Sequence, residues 1–215
     1  AQHTPGGPDG MGGCWPYEGN TGVPAGTNLT THTGNCVITA ANTVIDSKTV
    51  NCNLDIRAQN VSITKSQING YVMVDDTRCD SASVSITDTT IHTNDINFRG
   101  LIYCSYIATR VNVSGGQSMA LCRKCTIQDS YLHSPLEDPA GAAANHAAHN
   151  STVRMADNAI IKHNTLWCEV KEYPQPDGKD TSGCSANQTG YSHDGAPPFN
   201  SRVEANLYMP TSGGY

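Results

Sequence analysis

The chain has 215 residues and a formal charge of −6, with 13 Lys plus Arg against 19 Asp plus Glu. Cations this sparse argue against nucleic acid as a partner, because phosphate binding needs a concentrated basic face. No run approaches the roughly 18 consecutive apolar residues of a membrane span, and abundant Asn, Thr, Ser and Gly with few aromatics favour a turn-rich β scaffold over helices.

Residues 1–27 hold Pro5, Gly6, Gly7 and Pro8, then Gly12, Gly13, Cys14, Trp15 and Pro16. This punctuation predicts an irregular lead-in without a core of its own, with Trp15 plugging one end of the downstream fold. No basic leader or apolar signal segment precedes it, so the Ala1 start reads as a mature or trimmed terminus.

Over residues 28–215 a short phrase recurs. It runs Val61-Ser-Ile63-Thr-Lys-Ser66-Gln-Ile68, then Val84-Ser-Ile86-Thr-Asp-Thr89-Thr-Ile91, then Cys125-Thr-Ile127-Gln-Asp-Ser130-Tyr-Leu132, with weaker copies at Ile160 to Leu166 and Val203 to Leu207. The last apolar positions, Val50, Ile68, Ile91, Val113 and Leu132, are 18, 23, 22 and 19 residues apart. One turn of a parallel β-helix per step is the expected architecture: a single turn cannot bury its inward Val and Ile, whereas stacked turns bury them as continuous columns. The steps to Leu166 and Leu207, 34 and 41 residues, imply long loop excursions or a degenerate turn, with a hidden strand at Val153 to Met155. A β-sandwich is the rival fold, and it accounts less well for strands that resemble one another.

Nine cysteines favour an oxidising, extracellular location. Spacing suggests the pairs Cys36–Cys52, Cys79–Cys104 and Cys168–Cys184, with Cys122 and Cys125 forming a local bridge or staying reduced. Zinc at Cys122 and Cys125 is disfavoured because no second CxxC follows. Cys14 is left over. With Gly213, Gly214 and Tyr215 following a strand-like unit without a cap, this suggests either that the native protein continues past Tyr215 or that Cys14 pairs between chains.

Asn20 to Thr27, Thr43 to Cys52 and Ile161 to Leu166 resemble the right-handed β-helix proteins of the pectate-lyase-like superfamily, especially secreted actinobacterial and phage-encoded members. The resemblance implies polysaccharide lyases, polygalacturonase-like hydrolases, or non-catalytic tail-spike and adhesin modules. The hydrolase motif series and the calcium-binding acidic set are absent, Asp75 and Asp76 being the nearest match, so fold analogy does not assign a reaction.

The stretch richest in chemistry is His133 to Arg154. Proton abstraction beside a sugar carboxylate needs a base and a cation, and here His149 is the candidate acid or base and Arg154 the candidate neutraliser. His133 and Tyr191 are the supporting groups, and Glu137, Asp138, His146 and Lys162 the candidate substrate contacts. The plain structural alternative is a solvated loop or short helix whose histidines do nothing. No metal ligand set is assigned; the one cofactor the residues admit is a divalent ion shared by His146 and His149 with His193 or Asp194. Tyr103, Tyr106, Tyr131, Tyr191 and Tyr208 are candidate sugar-stacking platforms if they share a face, and otherwise shield the outside of the turns. The expected partner is an extracellular polysaccharide, bound and in one version cleaved. The competing function is a structural or adhesive fibre module that meets a homo-oligomeric or fibre neighbour through an open end or Cys14.

Overall fold

The computed structural model describes residues 3–146, 148–179, 181–184, 189–190 and 199–210. Within them the chain is nearly all β, built from three parallel sheets and four disulfides. Sheet A has eight strands: Thr30–Thr31, Lys48–Val50, Gln67–Asn69, Thr90–Thr93, Asn112–Gly115, Tyr131–His133, Thr165–Trp167 and Leu207–Tyr208. Sheet B has seven: Val37–Ile38, Leu54–Ile56, Val72–Val74, Arg99–Tyr103, Ser118–Cys122, Ser151–Met155 and Thr189–Gly190. Sheet C also has seven: Val44–Asp46, Val61–Thr64, Val84–Thr87, Tyr106–Thr109, Thr126–Gln128, Ile160–Lys162 and Arg202–Glu204. The chain visits A, B and C in turn, and each strand pairs in parallel with its counterpart in the circuit before it.

Alternation along each strand sends every second side chain inward, and register stacks those side chains from circuit to circuit. In sheet A the inward column is Val50, Ile68, Ile91, Val113, Leu132 and Leu166. In sheet C it is Ile45, Ile63, Ile86, Ala108, Ile127 and Ile161, and in sheet B Leu54, Val72, Leu101, Ala120 and Val153. All are buried in one continuous core. The hidden strand at Val153 to Met155 is the Ser151–Met155 strand of sheet B. Leu166 pairs with Tyr208 rather than with Leu207, one residue beyond the expected register.

The recurring phrase is the corner between sheets C and A. After inward Ile63 and outward Thr64 the chain turns at Lys65, with φ of 45°, and Ser66 then points inward before the sheet A strand begins. Ser47, Asp88, Arg110, Asp129, His163 and Ala205 repeat the left-handed turn at φ between 47° and 54°. At four of these corners the next residue, Ser66, Ser130, Asn164 or Asn206, receives the matching N–H of the circuit before: Lys48 N to Ser66 Oγ at 3.0 Å, Val111 N to Ser130 Oγ at 3.1 Å, Ser130 N to Asn164 Oδ1 at 3.0 Å and Asn164 N to Asn206 Oδ1 at 2.9 Å. This ladder satisfies backbone donors that the sharp corner removes from the sheets.

The cysteine pairs suggested by spacing form: Cys36–Cys52, Cys79–Cys104, Cys122–Cys125 and Cys168–Cys184. Cys14 is free and exposed. The lead-in does not plug an end. Trp15 stacks on His163 at a C-to-A corner, with ring centroids 5.2 Å apart, so the segment lies along the side of the stack. Further on, Gly22 N donates to Arg110 O at 2.8 Å and Val23 N to Thr90 Oγ1 at 3.0 Å. No helix among the described residues is long and apolar enough to cross a membrane.

Candidate functional site

Among the described residues the candidates are spread over the three sheets, except that His149 and Arg154 meet. His133 ends a sheet A strand and faces outward, Arg154 faces outward from sheet B between Leu121 and Gly190, and Lys162 lies on sheet C between Gln128 and Glu204. Within the 134–150 excursion, Asp138 caps the short helix Pro139–Ala143 by accepting from Gly141 N at 2.9 Å, a local use that makes it a structural residue. Glu137 Oε2 accepts from the Tyr173 hydroxyl at 2.6 Å and Asp177 N donates to Asn145 Oδ1 at 3.1 Å, tying this excursion to the next one. His146 and His149 are exposed; His149 bridges to Gly183, and its carbonyl accepts from Arg154 Nη2 at 2.6 Å. Tyr191, His193 and Asp194 lie outside the described residues. His163, directly after the Ile160–Lys162 strand, is the left-handed corner residue.

His133 is engaged at both ring nitrogens: Nδ1 lies 2.8 Å from Ser134 Oγ and Nε2 2.9 Å from the Asn112 side-chain amide, and the Ser134 hydroxyl donates to Glu169. Tyr131 stacks on the ring at 4.0 Å. Burial, aided by neighbouring His92, pushes the imidazole down from 6.5 to about 4, so it is neutral at pH 7. Nε2 faces Asn112 Oδ1, and Nδ1 faces the Ser134 hydroxyl that donates to Glu169, so both ring nitrogens are occupied and His133 is fixed in place rather than presented to a substrate.

Because the folded ring refuses a proton that the unfolded ring accepts at 6.5, this arrangement stabilises the fold fully above pH 6.5, and that contribution is lost as the pH falls through about 4. Urea unfolding at pH 7 and pH 4.5 should therefore show a drop in stability that shrinks in His133→Gln. Identical pH slopes in the two proteins would reject the buried, neutral ring.

A different cluster has the features of a binding site. At the corner from sheet A to sheet B, a groove of about 400 Å³ is lined by Asn53, Asn69, Gly70, Tyr71, His92, Asp95 and Phe98, among others. Tyr71 and Phe98 stack at 5.0 Å with 25° between their planes. Asp95 Oδ1 accepts from Asn97 N at 2.9 Å, turning the loop so that Phe98 comes down beside Tyr71. Gly70 leaves the floor open: a Cβ there would lie 2.6 Å from Asn53 Oδ1 and 2.9 Å from Cys52 O. Tyr71 is half-buried, and burial first, then the charges of Asp55 and Asp95, raise its phenol above the ordinary range.

The expected tyrosine platform does not form as a set. Tyr106 belongs to the core, its hydroxyl donating to Leu121 O at 2.8 Å. Sequence reasoning missed Tyr71 and Phe98 because they belong to successive circuits and meet only when those stack; the usable signal was an aromatic directly after each A-to-B or loop turn. A larger groove of about 670 Å³ lies against sheet C, lined by Val61, Val84, Tyr106 and Ile107 together with Ser, Thr and Asn; it has no stacked aromatic pair or carboxylate, and its one cation, Lys124, is paired with Asp80 at 2.6 Å. Asp76, Cys79 and Cys104 gather potential metal-binding atoms, yet both sulfurs are consumed in a disulfide, and Asp76 pairs with Arg123 at 2.6 Å. Comparison of the chain with protein-family models, with curated proteins and with solved structures finds no match.

Proposed function

We propose that the chain is a secreted, right-handed parallel β-helix of the pectate-lyase-like kind that binds an extracellular polysaccharide in the groove at the A-to-B corner. Parallel strands joined by crossovers of this type are right-handed in nearly all proteins, and four disulfides suit an oxidising compartment. The observation that carries the binding reading is the Tyr71–Phe98 pair set among Asn53, Asn69, His92 and Asp95. A sugar ring has an apolar C–H face that packs on an aromatic face, and hydroxyls at its edge that pair with amides and carboxylates.

Binding rather than cleavage is the half of the reading that the geometry supports: Arg154 meets His149 through the backbone carbonyl rather than the ring, and His133 lies on a different sheet. A non-catalytic adhesive or structural module is the second reading, favoured by Val203: it sits in register with inward Ile161 yet is 42% exposed, a surface that a stacked neighbour would cover. The test is affinity electrophoresis of the purified chain through gels containing neutral, acidic or basic polysaccharides. Retardation by at least one polymer, weakened about tenfold in Phe98→Ala, is expected. Equal retardation of the variant would move the site elsewhere.

A further inference from the structure

We propose that the groove selects its sugar by charge, taking a polymer of 2-amino-2-deoxyhexose with free, protonated amines and disfavouring a polyuronate. This rests on the groove being the polysaccharide site, and it names the substrate class for it.

The groove lining contains Asp95 and neither Lys nor Arg. Asp55 adds to the negative potential from beneath. Its Oδ2 pairs with Arg57 at 2.6 Å, but its Oδ1 is buried without a hydrogen-bond partner among the described residues. The field of both carboxylates reaches Tyr71, whose phenol they disfavour from ionising. A uronate carboxylate here would meet Asp95, with Asp55 already balanced by Arg57, and no Lys or Arg in the lining to neutralise it.

An ammonium meets the opposite conditions. Tyr71 and Phe98 present ring faces whose quadrupole attracts a cation, and Asp95 supplies the counter-charge at the rim. Asn53 and Asn69 line the same groove, Asn69 held by Gln67 at 3.2 Å and by Asn51 at 2.7 Å, so a ring hydroxyl would share their remaining hydrogen-bonding capacity. Aromatic faces plus one carboxylate are the chemistry of ammonium recognition, whereas uronate recognition calls for bidentate arginine. Three arginines of the neighbouring turns are committed, Arg57 to Asp55, Arg78 to Asp75 at 3.7 Å and Arg123 to Asp76, and Arg99, which follows Phe98, is not in the groove lining and reaches Gln117 Oε1 at 3.5 Å.

The experiment measures binding of three soluble oligomers to the full chain by calorimetry at pH 5.5 and low salt: fully deacetylated glucosamine oligomer, its N-acetylated counterpart, and oligogalacturonate. The amine oligomer should bind about tenfold more tightly than the N-acetylated one, and oligogalacturonate not measurably. Asp95→Asn should erase most of that preference while keeping the N-acetylated affinity. Asp80→Asn, which removes the same charge from a distant surface pair with Lys124, should leave the preference intact and so exclude a general attraction of polycation to an acidic protein. Equal affinity for amine and N-acetylated oligomers, with both lost in Phe98→Ala, would overturn the charge selection and leave the groove as a glycan site. Binding unaffected by Phe98→Ala would overturn both.

Discussion

Replacing Asn164 by leucine is expected to destabilise the fold by about 3 kcal/mol, read as a lower urea midpoint at unchanged slope. Asn164 is fully buried at the C-to-A corner. Its Oδ1 accepts from Ser130 N at 3.0 Å, and its Nδ2 donates to Ile127 O at 2.9 Å and to Asn206 Oδ1 at 3.0 Å. Leucine keeps the branched outline, with somewhat bulkier methyl groups, but removes all three contacts, stranding the Ser130 N–H in the ladder where water cannot replace the partner. Asn164→Asp separates the two halves of the role. The carboxylate still accepts from Ser130, but it sets a buried charge against the Ile127 carbonyl and the Asn206 side-chain oxygen. Its loss should exceed that of leucine at pH 7 and diminish on acidification, when the protonated carboxyl can donate again. A leucine variant within about 0.5 kcal/mol of the parent would show that the polar ladder contributes nothing to joining the circuits.

That ladder also explains why much of the fold was legible. Inward Ile63, left-handed Lys65, buried Ser66 and inward Ile68 occupy a corner of constant length, so the same phrase returns at Ile86 to Ile91 and Ile127 to Leu132. Asn164, within the Ile161 to Leu166 copy, occupies the same ladder position as Ser66 and Ser130. Sheet B was mostly invisible because the chain reaches its strands and leaves them through loops of unequal length, such as 75–83 and 94–98, which destroy any fixed spacing. Chemistry-rich composition proved a poor guide to the site. Glu137 and Asp138 sit where a substrate contact would be expected from sequence, yet one is held by Tyr173 from the next excursion and the other caps its own helix. Partners so far along the chain, or so local, are not written in residue type. The Tyr71–Phe98 pair escaped for the complementary reason: neither residue stands out until parallel stacking brings two circuits together.

Replacing His163 by phenylalanine is expected to loosen the N-terminal segment, read as protease cleavage before Gly22 roughly tenfold faster at pH 6. His163 Nδ1 lies 2.7 Å from Asp129 Oδ1 and Nε2 lies 3.2 Å from Asp9 Oδ2, so one ring joins the lead-in to the neighbouring C-to-A corner. Asp9 is itself held below the ordinary carboxylate range, first by the N–H of Met11 and also by Gly13 N–H and by His163. The other groups around the clasp do not replace the imidazole. His3 accepts from Trp15 Nε1 at 3.4 Å, Arg110 is engaged with Asp88 at 2.7 Å, and Glu204 contributes its carbonyl, which accepts from His163 N at 3.1 Å. His163→Phe keeps a ring against Trp15 but removes both acid contacts, while the anchors at Gly22 and Val23 persist. An unchanged cleavage rate would show that the lead-in is held by its backbone anchors and the Trp15 packing alone.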